Sequence, residues 1–332
     1  MSAIGIIANP ASGKDIRRLV SHATVIDNNE KVNILERIIL GAQSFGVDKI
    51  YIMPDSYMMG YKAQDQLNLS KELTADIEVL DMIIKASPKD TERAAQIMEE
   101  KKLGCVVVLG GDGTNRLVAK YLKTVPLIGV STGTNNAYPK MLEGTIVGVA
   151  AAVIASKGYD THLSCRRDKI IEIYKSGEFI DICLMDAVIS IEQYIGSKAI
   201  WDLSNIKKII VSNCHPASIG FSAIVGVNKY IDEKDDFGAA LDLNCGENRF
   251  MAPVSAGKIE ALSSGELEII QLNQSIQWEP GFKGIIAADG EREIVFNIGD
   301  SFEFKLTRNG PIHVDVRKTM EAAVAEGFFK MK

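Results

Sequence analysis

The chain has 332 residues, and at roughly 150 residues per domain that length accommodates two domains, each with its own core. Hydrophobic residues at 46%, charged residues at 24%, 28 Gly and 9 Pro are the proportions of an ordinary folded chain, which excludes a disordered or collagen-like polymer. Thirty-seven Lys and Arg against 43 Asp and Glu leave a formal charge of −6, so no global positive field draws nucleic acid and no such partner is expected.

Ala3 to Ala8 reads as the first strand. After a loop, Val32, Leu35, Ile38 and Ile39 recur at helical spacing, and Lys49 to Met53 reads as a second strand beyond the Phe45-Gly46 stop. Glu78 to Ile84 is expected to be a third. Ser87-Pro88-Lys89-Asp90 then opens a helix running to about Lys101, with Ser at the N-cap, Pro in first position and an acid at N3. Cys105 to Leu109 is continuously apolar, as in a strand buried on both faces of a parallel sheet, and Pro126 to Val130 repeats the type after one more helix. Ile146 to Ala155, the longest apolar stretch, falls well short of the roughly 20 residues that span a bilayer. It reads as a buried helix, and no membrane span is expected.

From about Asp168 the runs Ile170 to Tyr174, Phe179 to Met185, Ile209 to Ser212 and Glu266 to Leu272 are strand-like, separated by Gly, Asn and Ser. Gly299 to Leu306 and Ile312 to Val316 look like the last strands. Lys318 to Phe329 is helical, with Met320, Ala323, Val324 and Phe328 along one side. The pattern predicts an α/β N-terminal domain over 1–160, a parallel sheet with flanking helices, then a β-rich domain over 161–310, a β-sandwich. A C-terminal strand and helix over 311–332 are expected to pack back on the first domain. The N-terminal residues carry no positive charge before their apolar run, so no secretory signal is expected and the chain is placed in the cytoplasm. The five cysteines form no Cys-x-x-Cys pair and read as reduced core residues.

Three polar turns carry the chemistry. The strand ending at Leu109 breaks at Gly110-Gly111-Asp112-Gly113-Thr114 and resumes as a helix. Glycines there let backbone N–H groups approach a ligand closely, and a helix start adds a positive dipole end, both suited to phosphate. Asp112 within such a turn would repel phosphate unless it holds Mg²⁺ or takes a proton from an attacking hydroxyl. Asn9-Pro10-Ala11-Ser12-Gly13-Lys14 follows the first strand at the carboxyl edge of the sheet, where open α/β folds place ligands, although its spacing is not that of a Walker A loop. Ser131-Thr132-Gly133-Thr134-Asn135-Asn136 is a second Gly/Thr turn on the same edge.

The GGDG turn resembles that of the superfamily containing ATP-dependent NAD kinases, diacylglycerol and sphingosine lipid kinases and, more distantly, phosphofructokinases. The fullest likeness is to the ATP-NAD kinase-like proteins that include the acetoin-catabolism protein X group, from the first strand to Asp289-Gly290-Glu291. The resemblance implies ATP and Mg²⁺ as cofactors, with Asp112 catalytic. Gly110, Gly111, Gly113 and Thr114 would line the phosphates. Asn9 and Ser12 match a nucleotide loop of the lipid kinases, and Thr132, Gly133, Thr134 and Asn135 would contact nucleotide, with Asn136 beside the acceptor. Asp186 falls on the acid of an Asn-Asp pair that holds the ribose of NAD, with Met185 in the Asn position. Pro216, Ser218 and Ser222 lie in a segment like the NAD-enclosing loop; His215 there reads as an ordinary loop histidine. Asp289, with Glu291, would bind Mg²⁺ or position substrate, so Asp112 and Asp289 are the metal candidates.

The leading expectation is transfer of phosphate from ATP to the 2′-hydroxyl of NAD, giving NADP. A diacylglycerol-type lipid acceptor is the alternative, although no basic amphipathic segment with aromatics is present to seat the chain on a membrane. A catalytically weak nucleotide-binding protein linked to acetoin catabolism is another, favoured by Met185. A phosphofructokinase-like sugar kinase ranks behind these, for want of a basic cluster. The resemblance also implies a homo-oligomer.

Overall fold

The computed structural model describes residues 2–13, 26–133, 136–191 and 203–330. Its first half alternates β1 (Ala3–Ala8), α1 (Asn28–Gln43), β2 (Lys49–Ile52), α2 (Met59–Leu69), β3 (Asp76–Val79), α3 (Pro88–Glu100), β4 (Cys105–Gly110), α4 (Asp112–Ala119), β5 (Leu127–Ser131) and α5 (Gly144–Ala155). The strands pair in parallel in the order β3-β2-β1-β4-β5. Alternation explains the apolar run of β4. Cys105, Val107 and Leu109 enter the core under α1, α2 and α5, while Val106 and Val108 enter the opposite core with α3 and α4. Asp90 starts α3 by accepting the N–H groups of Ser87 and Lys85.

The third strand is Asp76–Val79 and does not reach Ile84, because β2 offers only Lys49–Ile52 as partners and Pro54 has no N–H to continue the ladder. Ile83 is 80% exposed. Helix α2 escapes the apolar-period test because two of the residues it buries, Gly60 and Ala63, are small. Its start is fixed by the Asp55 carboxylate, which accepts the N–H groups of Tyr57 and Met59.

After β6 (Cys165–Arg167) the chain crosses to an antiparallel domain. It comprises β7 (Ile170–Lys175), β8 (Glu178–Cys183), β9 (Asp186–Ser190), β10 (Ile206–Val211), α6 (Phe221–Gly226), β11 (Phe237–Ser255), β12 (Lys258–Gln271), β13 (Ser275–Trp278), β14 (Gly284–Ala288), β15 (Glu291–Phe296) and β16 (Phe302–Thr307). One sheet has the order β12-β11-β10-β9-β14-β15 and the other β13-β16-β7-β8. Ile171, Ile173, Ile189, Ile210, Ile286, Phe302 and Phe304 form the core between them, which makes the domain a sandwich. The β11–β12 hairpin is far longer than the Glu266 to Leu272 run suggests. Leu243 and Asn248 both oppose Ser264, so the intervening residues bulge out and interrupt the period-two pattern.

The chain then returns to the first sheet as β17 (Ile312–Val314) and α7 (Val316–Ala325). Strand β17 lies between β5 and β6, parallel to the former and antiparallel to the latter. Helix α7 buries Val316, Thr319 and Ala323, and Val324, expected on that side, is 65% exposed because it lies a third of a turn off the stripe. The two crossings between domains run together, with Asp168 N–H donating to Pro311 O at 3.0 Å and Gly310 N–H to Asp168 O at 3.2 Å. No helix among the described residues is long and apolar enough to cross a membrane.

Candidate active site

The sheet order reverses between β1 and β4, and the polar turns follow the carboxyl ends of β1, β4 and β5, the place where open α/β sheets hold ligands. Side chains lock the three turns together. Asn9 Nδ2 donates to Thr114 Oγ1 at 2.9 Å, and the Ser12 and Thr132 hydroxyls are 2.9 Å apart. Lys31, fully buried on α1, donates its ammonium to the carbonyls of Asn9 and Ser12 at 2.9 and 2.7 Å. Nothing in the sequence marks Lys31 apart from its place on an otherwise apolar helical stripe. Asn136 donates to Ser131 Oγ at 2.8 Å, and its Oδ1 would stand 2.9 Å from a Cβ at Gly111. That close approach explains the glycine. Thr134 and Asn135 lie outside the described residues.

Asp112 is the first residue of α4, with Gly111 as N-cap. Its carboxylate accepts Tyr138 N–H at 2.9 Å and Ala137 N–H at 3.0 and 3.1 Å, so the segment after β5 fixes the carboxylate plane. The N–H groups of the first turn of any helix lack intrahelical acceptors, and at α4 they accompany the glycines at the sheet edge.

The second domain brings its own acids to this edge. Ala288 to Glu291 forms the tight hairpin between β14 and β15, with Asp289 and Gly290 both at positive φ, 48° and 77°. A Cβ on Gly113 would run into the Glu291 carboxylate, so this hairpin sits directly against the GGDGT turn. Asp289 turns away from solvent and accepts the N–H groups of Leu184, Met185 and Asp186 at 2.8, 2.7 and 3.1 Å. Burial pushes its carboxyl up to about 7, with the Asp112 charge acting in the same direction and Arg116 and the N–H groups opposing. Asp186 is 6% exposed and starts β9 beside it. Arg116, fully buried on α4, donates to Asp181 of β8 at 2.5 Å, and Lys120 pairs with the same carboxylate at 2.6 Å. Arg116 stands two residues beyond Thr114, but its partner is remote in sequence and nothing in the sequence marks the pair.

The remaining acceptor-side candidates are more loosely tied to this cluster. The segment leading to them begins at the site, since Ser212 Oγ donates to Leu184 O at 2.5 Å. Pro216 is exposed, Ser218 donates its N–H to His215 O, and Ser222 is buried on α6. Among the described residues, no hydrogen bond joins these three to the first domain. His215 accepts Ala217 N–H on Nδ1, as befits a loop histidine. Among the described residues, no three His, Cys, Asp or Glu side chains converge on a point that could hold a metal by themselves.

A parallel α/β domain carrying a GGDGT turn, joined to an antiparallel β domain whose acids reach that turn, has the architecture of the NAD kinases. The profile of the ATP-NAD kinase N-terminal domain matches residues 4–159, and that of the acetoin catabolism protein X C-terminal domain matches residues 169–309. Acetoin catabolism protein X of Cupriavidus necator is 33% identical, over 96% of this chain and 92% of that protein. The chain belongs to the acetoin catabolism protein X family. Yeast NADH kinase, whose crystal structure is a complex with NADH, has the same fold, at a TM-score of 0.51 and 10% identity over 100% of this chain and 89% of its own.

Proposed function

We propose that this protein transfers a phosphoryl group from ATP to a hydroxyl, and that the acceptor is the 2′-hydroxyl of NAD. The observation that carries the reading is the carboxylate of Asp112 at the start of α4, oriented by the N–H groups of Ala137 and Tyr138, with the second domain's hairpin against the same turn at Gly113. Gly110, Gly111, Gly113 and Thr114 would hold the phosphates by backbone N–H groups, with Asn9, Ser12, Thr132, Gly133, Thr134 and Asn135 around the nucleotide. The site fits phosphate because the first turn of α4, whose N–H groups lack intrahelical acceptors, starts at Asp112 on the carboxyl edge of the sheet. Mg²⁺ takes oxygen ligands and is ordinarily held by one or two carboxylates plus substrate phosphates, so the half-buried Asp112 carboxylate fits it with phosphate oxygens supplying the rest, no three acids converging there among the described residues. Asp112 is the side chain for that ion, which would supply neutralisation of phosphate charge. Asp289 we assign to positioning, since it is buried against the 184–186 backbone that it accepts from, whereas Asp112 is only half-buried.

Asp112 would take the proton of the attacking hydroxyl, and Asn136, Asp186, Pro216, Ser218 and Ser222 would surround the acceptor. The match to the ATP-NAD kinase domain supports NAD. The relative's name supports a place in acetoin catabolism. A second reading, a nucleotide-binding protein with weak transfer, has its own support. The Met185 side chain is buried in the core beside Ile182 and Leu184 and offers the acceptor no polar atom.

Purified protein given ATP, Mg²⁺ and NAD is expected to form NADP⁺, and Asp112→Asn should lower kcat by about 10²–10⁴-fold, the usual contribution of a positioned base. Full activity in Asp112→Asn would remove the base from Asp112. Nucleotide at about 100 times its Kd should add roughly 2.7 kcal/mol of stability. A thermal shift with ATP but no NADP⁺ supports the second reading, and no shift with any nucleotide sinks both.

A further inference from the structure

Below the site lies a buried polar cluster that the reading above does not use. The Tyr138 hydroxyl donates to Asp168 Oδ2 at 2.7 Å, and His313 Nδ1 lies 3.0 Å from the same oxygen and 3.1 Å from the hydroxyl. The rings of Tyr138 and His313 meet edge to face at 5.2 Å. Arg166 reaches the other oxygen, Oδ1, at 3.3 Å and pairs outward with Glu233. Burial alone would raise the Asp168 carboxyl, but His313, Tyr138 and Arg166 outweigh it and hold the carboxyl below its ordinary range. Asp168 is therefore the ionised acceptor, with the Tyr138 hydroxyl and the His313 Nδ1–H donating to it.

Each member belongs to a different part of the machine. Tyr138 sits in the segment after β5, and its main-chain N–H is the 2.9 Å donor to Asp112. Asp168 is the first crossing between domains, and its own N–H and C=O bond the second crossing at Pro311 and Gly310. His313 is the middle residue of β17, where that second crossing re-enters the first sheet. One residue, Tyr138, thus connects Asp112 by its backbone to both crossings by its side chain.

We infer that Tyr138, Asp168 and His313 are positioning residues that set the Asp112 carboxylate by anchoring its backbone donors to the crossing between the domains. The inference rests on Asp112 being the base proposed above, but its geometry is measurable without catalysis. The test uses the full chain and three variants: Tyr138→Phe, His313→Leu, and His313→Asn, whose amide N–H can stand in for Nδ1–H. In Tyr138→Phe and His313→Leu, the amides of Ala137 and Tyr138 should exchange hydrogen about ten-fold faster or more, with β4 amides unchanged. The same variants should lose about ten-fold in kcat while KM for ATP stays within about two-fold, and His313→Asn should restore both. Unchanged exchange at those two amides, equal acceleration throughout β4 and β5, or His313→Asn behaving as His313→Leu would overturn the inference. A wild-type protein that forms no phosphorylated product would instead sink the functional reading, and the exchange rates would still decide the positioning.

Discussion

At the scale of single residues, Asp289 shows how a fold spends an acid on its own backbone. Its carboxylate gathers the N–H groups of three successive residues, yet burial holds its carboxyl near 7, far above the ordinary 3.8. The folded state therefore keeps a proton that the unfolded chain has released between about pH 4 and about pH 7. Stability contributed by this group falls as pH rises through that window and is constant above it. Asp289→Asn should melt lower overall, because its amide faces N–H groups, but with a flatter melting-temperature profile over pH 4–7. Parallel profiles for the two proteins would show that Asp289 does not titrate there. The turn that carries Asp112 and its glycines was legible because a Gly-rich break marks where an apolar strand gives way to a helix. Lys31, Tyr138, Asp168, Arg116 and His313 were not, because each acquires its meaning from a partner that only the fold brings near.

At the scale of elements, the contact between α1 and α5 depends on missing side chains. A Cβ on Gly148 would overlap the Ile38 carbonyl and stand 2.8 Å from Ala42 N, and a Cβ on Gly41 would overlap the Thr145 carbonyl. Main-chain atoms cannot rotate aside, so the helices would have to part. Alanine gains about 1 kcal/mol over glycine in helix propensity, whereas overpacking costs typically 1–3 kcal/mol or more, and against main chain the second effect wins. Gly148→Ala should lose up to about 2 kcal/mol in urea unfolding, and a stabilised variant would show that the helices separate freely. The parallel strands could be read from sequence because burial on both faces leaves one chemical option. The β11–β12 hairpin could not, since its bulge breaks the alternation and its outer half is exposed.

At the scale of the whole molecule, the domains are joined by a charged contact as well as by two crossings. Arg116 is fully buried and Asp181 is 6% exposed, so removing the carboxylate takes away a principal counter-charge of a guanidinium with no access to water. Asp181→Ala should cost about 3–5 kcal/mol, the range for breaking a buried pair from one side, read as a lower denaturation midpoint. A loss below about 1 kcal/mol would mean that water reaches Arg116 in solution. The return of β17 to the first sheet has a consequence for synthesis. The strand that separates β5 from β6 is made after the entire second domain, on the order of ten seconds later at about 5–20 residues per second. During that interval β5 presents an unpaired edge, and the nascent first domain waits, unfinished, for β17 to close it.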